Sequence, residues 1–140
     1  INGPNLNMLG IRNPGIYGNI TYQDLETMIK VFCKENHIHV DMVVSNYEGE
    51  IVEAIHDTYF NKYDALIINP GALTHYSIAI RDALEILNCL KIEVHISDIY
   101  NRESFRKTNV IRDVCDYSII GKGLDGYLEA IKIVMQVKKR

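Results

Sequence analysis

The segment Ala65-Leu66-Ile67-Ile68-Asn69-Pro70-Gly71 decides the fold of this 140-residue chain. It begins with a short, uninterrupted apolar run and ends in turn-forming residues. An uninterrupted run predicts a strand that is buried on both faces, as in a parallel sheet covered by helices. The segment therefore predicts an α/β domain.

Strand-like and helix-like patterns alternate on both sides of this segment. Further strands are predicted at 38–44, 91–96 and 117–120, and Ile1 is expected to end another strand, with a few apolar residues before it. Apolar residues at helical spacing predict four helices. One begins after Thr21, and the others extend over 51–59, 77–87 and 127–137. The expected architecture is a flavodoxin-like, doubly wound, five-stranded parallel sheet with helices on both faces, in a single domain over residues 1–140.

Composition excludes several classes of function. The net charge of −3 gives no basic footprint for nucleic acid, and no apolar run reaches the length of about 18 residues that a membrane span needs. The three cysteines are odd in number and irregularly spaced, which favours a reducing compartment over a disulfide framework or a zinc site. We therefore expect a cytoplasmic protein that binds neither nucleic acid nor membrane.

A long loop follows the expected first strand. It opens with Asn2-Gly3-Pro4-Asn5-Leu6-Asn7-Met8-Leu9-Gly10 and continues to Gly18. Turn-forming Gly, Pro and Asn recur through it, and a loop of this kind is costly to order. Long loops in small domains are usually functional or disordered. This loop is therefore a candidate part of a functional site.

The unusual polar residues of the sequence fall after predicted strands. They are Asn5, Arg12 and Tyr17 after the first, Asn69 and His75 after the third, and His95, Ser97, Arg102 and Arg106 at or after the fourth. In a doubly wound sheet, ligands bind at the carboxyl ends of the strands, which lie along one edge. These residues are therefore expected to converge on one cleft.

Arg12 and Tyr17 are a candidate base. Forming a tyrosinate from an ordinary phenol at pH 7 costs about 4 kcal/mol, and a neighbouring cation lowers that cost. Arginine remains protonated, so Arg12, five residues away, can stabilise a Tyr17 anion without titrating itself. The spacing alone favours a simpler interpretation, in which Arg12 is a solvated loop charge and Tyr17 a packing residue.

His95 is a candidate acid. A histidine within an apolar strand is commonly a core residue with satisfied hydrogen bonds, but Glu93 lies two residues earlier and points to the same face. Glu93 can therefore orient or charge the imidazole. Ser97 lies on that face as well, and its hydroxyl together with the Ile96 N–H can hold a carboxylate.

A glycine-rich turn and a non-catalytic function are the alternatives to consider. Residues 121–126 fit G-x-G-x-x-G, but no later strand carries the acidic residue that binds a ribose, so a close strand-to-helix turn is the better interpretation. A flavin-binding or receiver domain is the second functional hypothesis. Receivers need acidic residues after strands one and three, where this chain has Asn2 and Asn69, and the first loop lacks the Ser and Thr typical of flavin sites.

Four motifs together give the sequence a family resemblance. They are the N-terminal loop, Ile68-Asn69-Pro70-Gly71-Ala72-Leu73-Thr74-His75, Glu93-Val94-His95-Ile96-Ser97 and Arg102-Glu103-Ser104-Phe105-Arg106. In this order they resemble the type II 3-dehydroquinate dehydratases. The resemblance implies a lyase that performs the reversible anti elimination of water from 3-dehydroquinate through an enolate, giving 3-dehydroshikimate. It implies the shikimate pathway or quinate breakdown as the setting, with no metal or cofactor.

The resemblance also assigns a role to each site residue. Tyr17 is the base beside Arg12, Asn5 stabilises the enolate through an ordered water, and His95 is the acid. The substrate is held by Asn69, His75, Ile96, Ser97 and Arg106 and by Asp82 from a neighbouring subunit, with Glu93, Gly71 and Arg102 in supporting positions. The assembly implied is a homododecamer, built as a tetramer of trimers.

Two departures from the family pattern follow these motifs. Asp98 stands where Asn is commoner, and Thr108-Asn109-Val110 replaces the usual Ser-Tyr pair. Neither is expected to touch a residue with an assigned catalytic role.

Overall fold

A three-stranded parallel sheet lies at the centre of the fold in the computed structural model, which describes residues 1–138. Its strands are β1 (Ala65–Ile68), β2 (Leu90–His95) and β3 (Tyr117–Ile120), with β2 between the other two. The register aligns Ile68 with Glu93 and Glu93 with Ser118. The prediction of an α/β fold with a parallel sheet is confirmed.

Helices connect and cover the strands. Within the described residues they are α1 (Pro14–Tyr17), α2 (Tyr22–Glu35), α3 (Glu48–Phe60), α4 (Ile78–Ile86) and α5 (Asp125–Lys138). Short 3-10 turns occur at Leu6–Met8, Gly71–His75, Ile99–Asn101, Ser104–Lys107 and Arg112–Val114. None of the helices within residues 1–138 is both long and apolar enough to cross a lipid bilayer.

Helix α2 begins where the sequence predicts, at a capping box. The Thr21 hydroxyl accepts from the Asp24 N–H at 3.1 Å, and the Asp24 carboxylate accepts from the Thr21 N–H at 3.0 Å. The two side chains thereby satisfy backbone donors that a helix start leaves free. This cap fixes the point at which the long N-terminal loop ends.

The sheet has an apolar cluster on each face. Leu66 and Ile68 of β1 pack with α3 and α4, whereas Ile67, between them, packs against the cluster formed by α2 and α5. Successive strand residues point to opposite faces, so an uninterrupted apolar run is what a strand covered on both sides requires. The helices therefore lie on both faces, as expected.

The predicted strand at 38–44 is not formed. Val44 makes a single parallel bridge to Asn2, and Asn2 makes another to Asn69. The Asn2 N–H donates to Val43 O and the Gly3 N–H donates to Asn69 O, both at 2.8 Å. Among residues 1–138 the sheet thus has three strands rather than the five expected.

The glycine-rich segment after β3 is a close strand-to-helix turn. The Gly121 N–H donates to His95 O at 3.0 Å, and a Cβ on Gly126 would lie 3.3 Å from Ile119 and 3.4 Å from Val94. These glycines allow α5 to pack closely on the sheet. The packing explains the pattern without a nucleotide.

Candidate active site

A pocket opens at the carboxyl ends of β1 and β2, where the sequence predicts a cleft. Glu93 and Asp82 are absent from its lining: Glu93 is fully buried, and Asp82 is exposed on α4. All the other predicted site residues line it, namely Asn5, Arg12, Tyr17, Asn69, Gly71, His75, His95, Ile96, Ser97, Arg102 and Arg106. Four separate stretches of the chain therefore meet in one place.

Tyr17 ends α1, and its phenol oxygen is bound by an arginine from the far side of the pocket. The Arg102 Nη1 donates to Tyr17 Oη at 2.6 Å and to Ser97 Oγ at 3.1 Å. The Arg102 side chain is only 14% exposed, so this guanidinium is not a solvated surface charge. A guanidinium at this distance stabilises negative charge on the phenol oxygen.

Arg12 contacts the same tyrosine differently from what the sequence suggests. Its guanidinium lies over the Tyr17 ring, 4.6 Å from the centroid, whereas that of Arg102 is 5.4 Å from the centroid and hydrogen-bonds the oxygen. A five-residue separation placed Arg12 and Tyr17 together correctly but gave no information about Arg102, which is 85 residues away along the chain. The Tyr17 ring therefore has two guanidinium neighbours.

His95 and Glu93 form a buried pair at the end of β2. The His95 Nε2 lies 2.7 Å from Glu93 Oε2, and the two side chains are 4% and 0% exposed. A carboxylate only accepts hydrogen bonds, so Nε2 carries the proton in this contact. That leaves Nδ1 as the ring nitrogen that can serve a ligand in the pocket.

Glu93 is an anion in this environment. Burial alone would raise the pKa of the Glu93 carboxyl, but hydrogen bonds from His95 and Asn109 outweigh it and hold that pKa below its usual range. Asn109 Nδ2 donates to Glu93 Oε2 at 2.9 Å. The 108–110 segment, at which this chain departs from the family pattern, therefore supplies a contact to Glu93, the partner of His95.

Asn69 is oriented by a buried chain of hydrogen bonds. Its Oδ1 accepts from the Gly71 N–H at 3.1 Å, and its Nδ2 donates to Tyr127 Oη at 2.9 Å. Tyr127 in turn donates to Asn2 Oδ1 at 2.7 Å, and burial raises the pKa of its phenol, which remains neutral. The amide of Asn69 is thereby presented to the pocket in one orientation.

His75 is also oriented by the 108–110 segment, at which this chain departs from the family pattern. Its Nδ1 donates to the Thr108 carbonyl oxygen at 2.7 Å, which leaves Nε2 for the pocket. Burial lowers the pKa of His75, and the nearby charges of Arg106, His95 and Arg102 lower it further. His75 is therefore a neutral hydrogen-bonding group near pH 7.

Asn5 adopts a left-handed backbone conformation at the start of the pocket loop, with φ of 72°. Its N–H donates to Asn46 Oδ1 at 2.9 Å. Left-handed geometry is tolerated by Asn better than by most residues, and the Asn46 contact holds it in place. Sequence reasoning missed Asn46, although it follows the 38–44 segment and the strand-end rule would have found it.

The pocket is strongly cationic. The guanidinium groups of Arg12, Arg102 and Arg106 all border it, and the Arg106 Nε pairs with Glu103 at 2.6 Å. The Arg106 side chain is 15% exposed. Three guanidinium groups can bind a small anion. The phenol and the imidazole beside them can transfer protons to and from it.

A parallel α/β domain with this constellation at its strand ends defines an enzyme that uses acid–base chemistry on a small anionic substrate. The family described as Dehydroquinase class II matches residues 1–135. The 3-dehydroquinate dehydratase of Thermotoga neapolitana is 53% identical over 137 residues, covering 98% of this chain and 92% of the relative. The 3-dehydroquinate dehydratase of Lachnospira eligens is 47% identical, with 98% and 94% covered.

Solved structures agree with these sequence relatives. The type II dehydroquinase of Butyrivibrio crossotus superimposes with a TM-score of 0.94 at 51% identity, covering 95% of this chain and 92% of that one. The type II dehydroquinase of Propionibacterium acnes gives 0.92 at 39% identity, with 95% and 91% covered. The chain belongs to the type II dehydroquinase family.

Proposed function

We propose that this chain eliminates water from 3-dehydroquinate to give 3-dehydroshikimate, the reaction for which its curated relatives are named. The proposal depends most on one observation: a phenol held by a guanidinium and an imidazole held by a carboxylate line the same pocket. An elimination needs a base and an acid in one pocket, and the arginines of the lining suit an anionic substrate.

In the first step Tyr17, as a tyrosinate, removes the proton on the carbon next to the ketone. A tyrosinate costs about 4 kcal/mol at pH 7 in the absence of neighbouring charges. The Arg102 Nη1 lies 2.6 Å from the phenol oxygen and the Arg12 guanidinium lies over the ring, so two cations face the proposed base. The proton goes to the phenol oxygen, and the electron pair of the C–H bond passes into an enolate.

The enolate oxygen needs hydrogen-bond donors that are already in position. Asn5 is the candidate, acting through an ordered water, because it lines the pocket and its backbone is fixed by Asn46. Donors aimed at developing charge lower a barrier without reorganising during the reaction.

In the second step His95 protonates the departing hydroxyl at C1. The enolate collapses, the C1–O bond breaks, and the oxygen leaves as water with the proton from the imidazole. Glu93 stabilises the imidazolium and fixes its Nε2 proton, so that Nδ1 acts as the donor. The reverse reaction uses the same groups in opposite roles.

The remaining pocket residues position the ring. Ser97 Oγ and the Ile96 N–H are proposed to hold the carboxylate, and Asn69, His75 and Arg106 the ring hydroxyls. Gly71 supports this arrangement, since it brings the Asn69 turn against the N-terminal loop. Arg102 bridges Tyr17 and Ser97 and thereby links the base to the carboxylate site.

We further propose a sheet of five parallel segments in flavodoxin-like order, in which 38–44 and 1–3 precede β1, β2 and β3. The parallel bridges of Asn2 to Val44 on one side and to Asn69 on the other support that order.

We also propose a homododecamer, a tetramer of trimers, in which Asp82 reaches the pocket of a neighbouring subunit. Asp82 is exposed on α4 and absent from the pocket of its own chain. Ile78 and Ile86 lie four residues on either side of it and are 54% and 51% exposed, so an acid lies within an apolar stripe on one helix face. Such a stripe is typical of an interface.

We propose the cytoplasm as the location, since Cys33, Cys89 and Cys115 are free thiols.

Replacement of Tyr17 by Phe tests the function. Tyr17→Phe is expected to lower kcat by about 10²-fold or more, because a positioned base contributes rate on that order. Substrate binding, measured by equilibrium dialysis, should remain, and Tyr59→Phe on the exposed end of α3 is the matched control. Formation of the ultraviolet-absorbing enone at the wild-type rate by Tyr17→Phe would remove Tyr17 from the base role.

A further inference from the structure

The Glu93 carboxylate is the most deeply buried charge next to the proposed chemistry. It is 0% exposed, and its Oε2 accepts from both His95 and Asn109. A desolvated carboxylate remains ionised only if donors replace the water it has lost. The Asn109 amide is one of the two donors that do so at Oε2.

The orientation of the Asn109 amide is fixed by the backbone. Its Oδ1 accepts from the Ile111 N–H at 3.0 Å, so its Nδ2 must face Glu93. A flipped amide would lose the bond to Ile111 and turn an acceptor towards a carboxylate. Asn109 is thus built into this turn as a donor to Glu93.

We propose that Asn109 is a positioning residue for the proton donor of the dehydration. By donating to Glu93, it holds the carboxylate where it accepts the Nε2 proton of His95, so that the imidazole presents Nδ1 to the leaving hydroxyl. Asn109 does not line the pocket and acts through Glu93. This inference rests on the proposed function and adds to it a residue by which this chain departs from the usual family pattern.

Other charged and titratable groups surround the pair on every side. The Arg112 side chain is half-exposed, and its Nε lies 3.8 Å from Glu93 Oε1. Ser118 is the register partner of Glu93 on β3. Burial and the Glu93 charge raise the pKa of the Cys115 thiol to about 12, so Cys115 remains neutral in any assay. On the pocket side His95 faces His75, with Arg102 and Arg106 beside it.

The substitution Asn109→Asp separates this role from simple packing. It keeps the shape of the side chain and the acceptor for Ile111, but it places a second carboxyl against Glu93. Two carboxyls at hydrogen-bond distance share one proton, and while that proton is bound the introduced carboxyl donates to Glu93 as the amide does. At higher pH the proton is lost, and two anions face each other.

The measurement is kcat of the full-length variant divided by kcat of the wild type, across the pH range in which both remain folded. Titration of groups far from Glu93 contributes alike to both proteins, so the ratio reports on the groups that the new carboxyl affects. For Asn109→Asp we expect a ratio near one at the acidic end and a fall of at least about tenfold at the alkaline end, out of the 10²–10⁴ that a positioned acid contributes. KM should not change, because Asn109 does not line the pocket.

Asn109→Leu is the matched variant. It offers no donor at any pH, so its kcat ratio should be low and independent of pH. A kcat ratio for Asn109→Asp that does not vary with pH, or a changed KM with unchanged kcat, would overturn the proposal. Asn109→Asp decides the question even if Asn109→Leu does not fold.

Nitrogen-15 NMR of the histidines supplies a readout without substrate. Wild type should hold the His95 proton on Nε2, and equal mixing of the tautomers would count against the proposal. If wild type did not dehydrate 3-dehydroquinate, the proposed function would fail, and a comparison of the His95 tautomer between wild type and Asn109→Leu by NMR would still test Asn109.

Discussion

At the scale of single residues, the pocket places cations beside the proposed base and an anion beside the proposed acid. Tyr17 lies between Arg12 and Arg102, and His95 pairs with the buried anion Glu93. A cation beside a phenol and an anion beside an imidazole favour the charged form of each group.

Arg102 is expected to matter to the base as directly as Arg12 does. Arg102→Met removes the hydrogen bond to Tyr17 Oη and the one to Ser97, so kcat should fall by about 10²-fold, the scale of losing one well-placed donor. Steady-state kinetics measures the effect, and Lys30→Met, which removes a cation on the exposed face of α2, is the control. Unchanged kcat in Arg102→Met would leave Arg12 as the sole cation acting on Tyr17.

At the scale of elements, the site depends on two turns that pack backbone against backbone. Gly71 has φ of +61°, and a Cβ there would lie 2.8 Å from Pro4 O in the N-terminal loop. A Cβ on Gly3 would clash with Pro70 O in the same contact. Glycine at both positions lets the loop after residue 2 lie directly on the turn after β1, which brings Asn5 and Asn69 into one pocket.

Substitution at Gly71 should therefore separate the two turns. Gly71→Ala combines a left-handed backbone with a backbone clash and is expected to destabilise the fold by about 2–4 kcal/mol. Chemical denaturation measures this loss, and the catalytic rate should fall with it. Gly49→Ala is the opposite control: nothing lies within 4 Å of its Cβ, and α3 should gain about 0.5 kcal/mol. Equal stabilities for the two variants would show that the turns are not held by this contact.

At the scale of the whole molecule, one chain does not bring all the predicted site residues together. The pocket collects residues from both sides of β1 and β2, but Asp82 is on the outer face of α4 with exposed isoleucines around it. Burial of these isoleucines against another subunit would remove apolar area from water and carry the carboxylate into a second pocket. Assembly and catalysis are then coupled through a single helix.

Asp82→Ala is expected to lower kcat/KM by about tenfold or more while the chain keeps its own fold, because the lost group acts on a different subunit. Sedimentation should give the mass of twelve chains for the wild type. Glu35→Ala, which removes an exposed acid at the end of α2, serves as the control. A monomeric, fully active wild type would contradict both the assembly and the role of Asp82.

Local signals in the sequence were enough to predict much of this protein. The apolar run at 65–68 predicted a strand buried on both faces, Thr21 predicted a helix start, and the order of polar residues after strands predicted one cleft. Each of these three predictions depends on a few residues that are neighbours in the sequence. Strand and helix patterns repeat over so few residues that they can be recognised without the structure. The 38–44 segment was mispredicted because strand formation needs a partner ladder, which periodicity does not report.

The partners of the reactive groups were decided only by tertiary structure. Arg102 rather than Arg12 holds the phenol oxygen of Tyr17, and Asn109 holds Glu93. These contacts join residues that are separated by 85 and 16 positions and lie on different segments of the chain. Which long side chains meet across a cleft depends on how loops fold back over the sheet edge, and no spacing along the chain encodes that path. The sequence alone therefore determined the α/β class and most of the residues that line the pocket, whereas the folded chain determined which side chain contacts which.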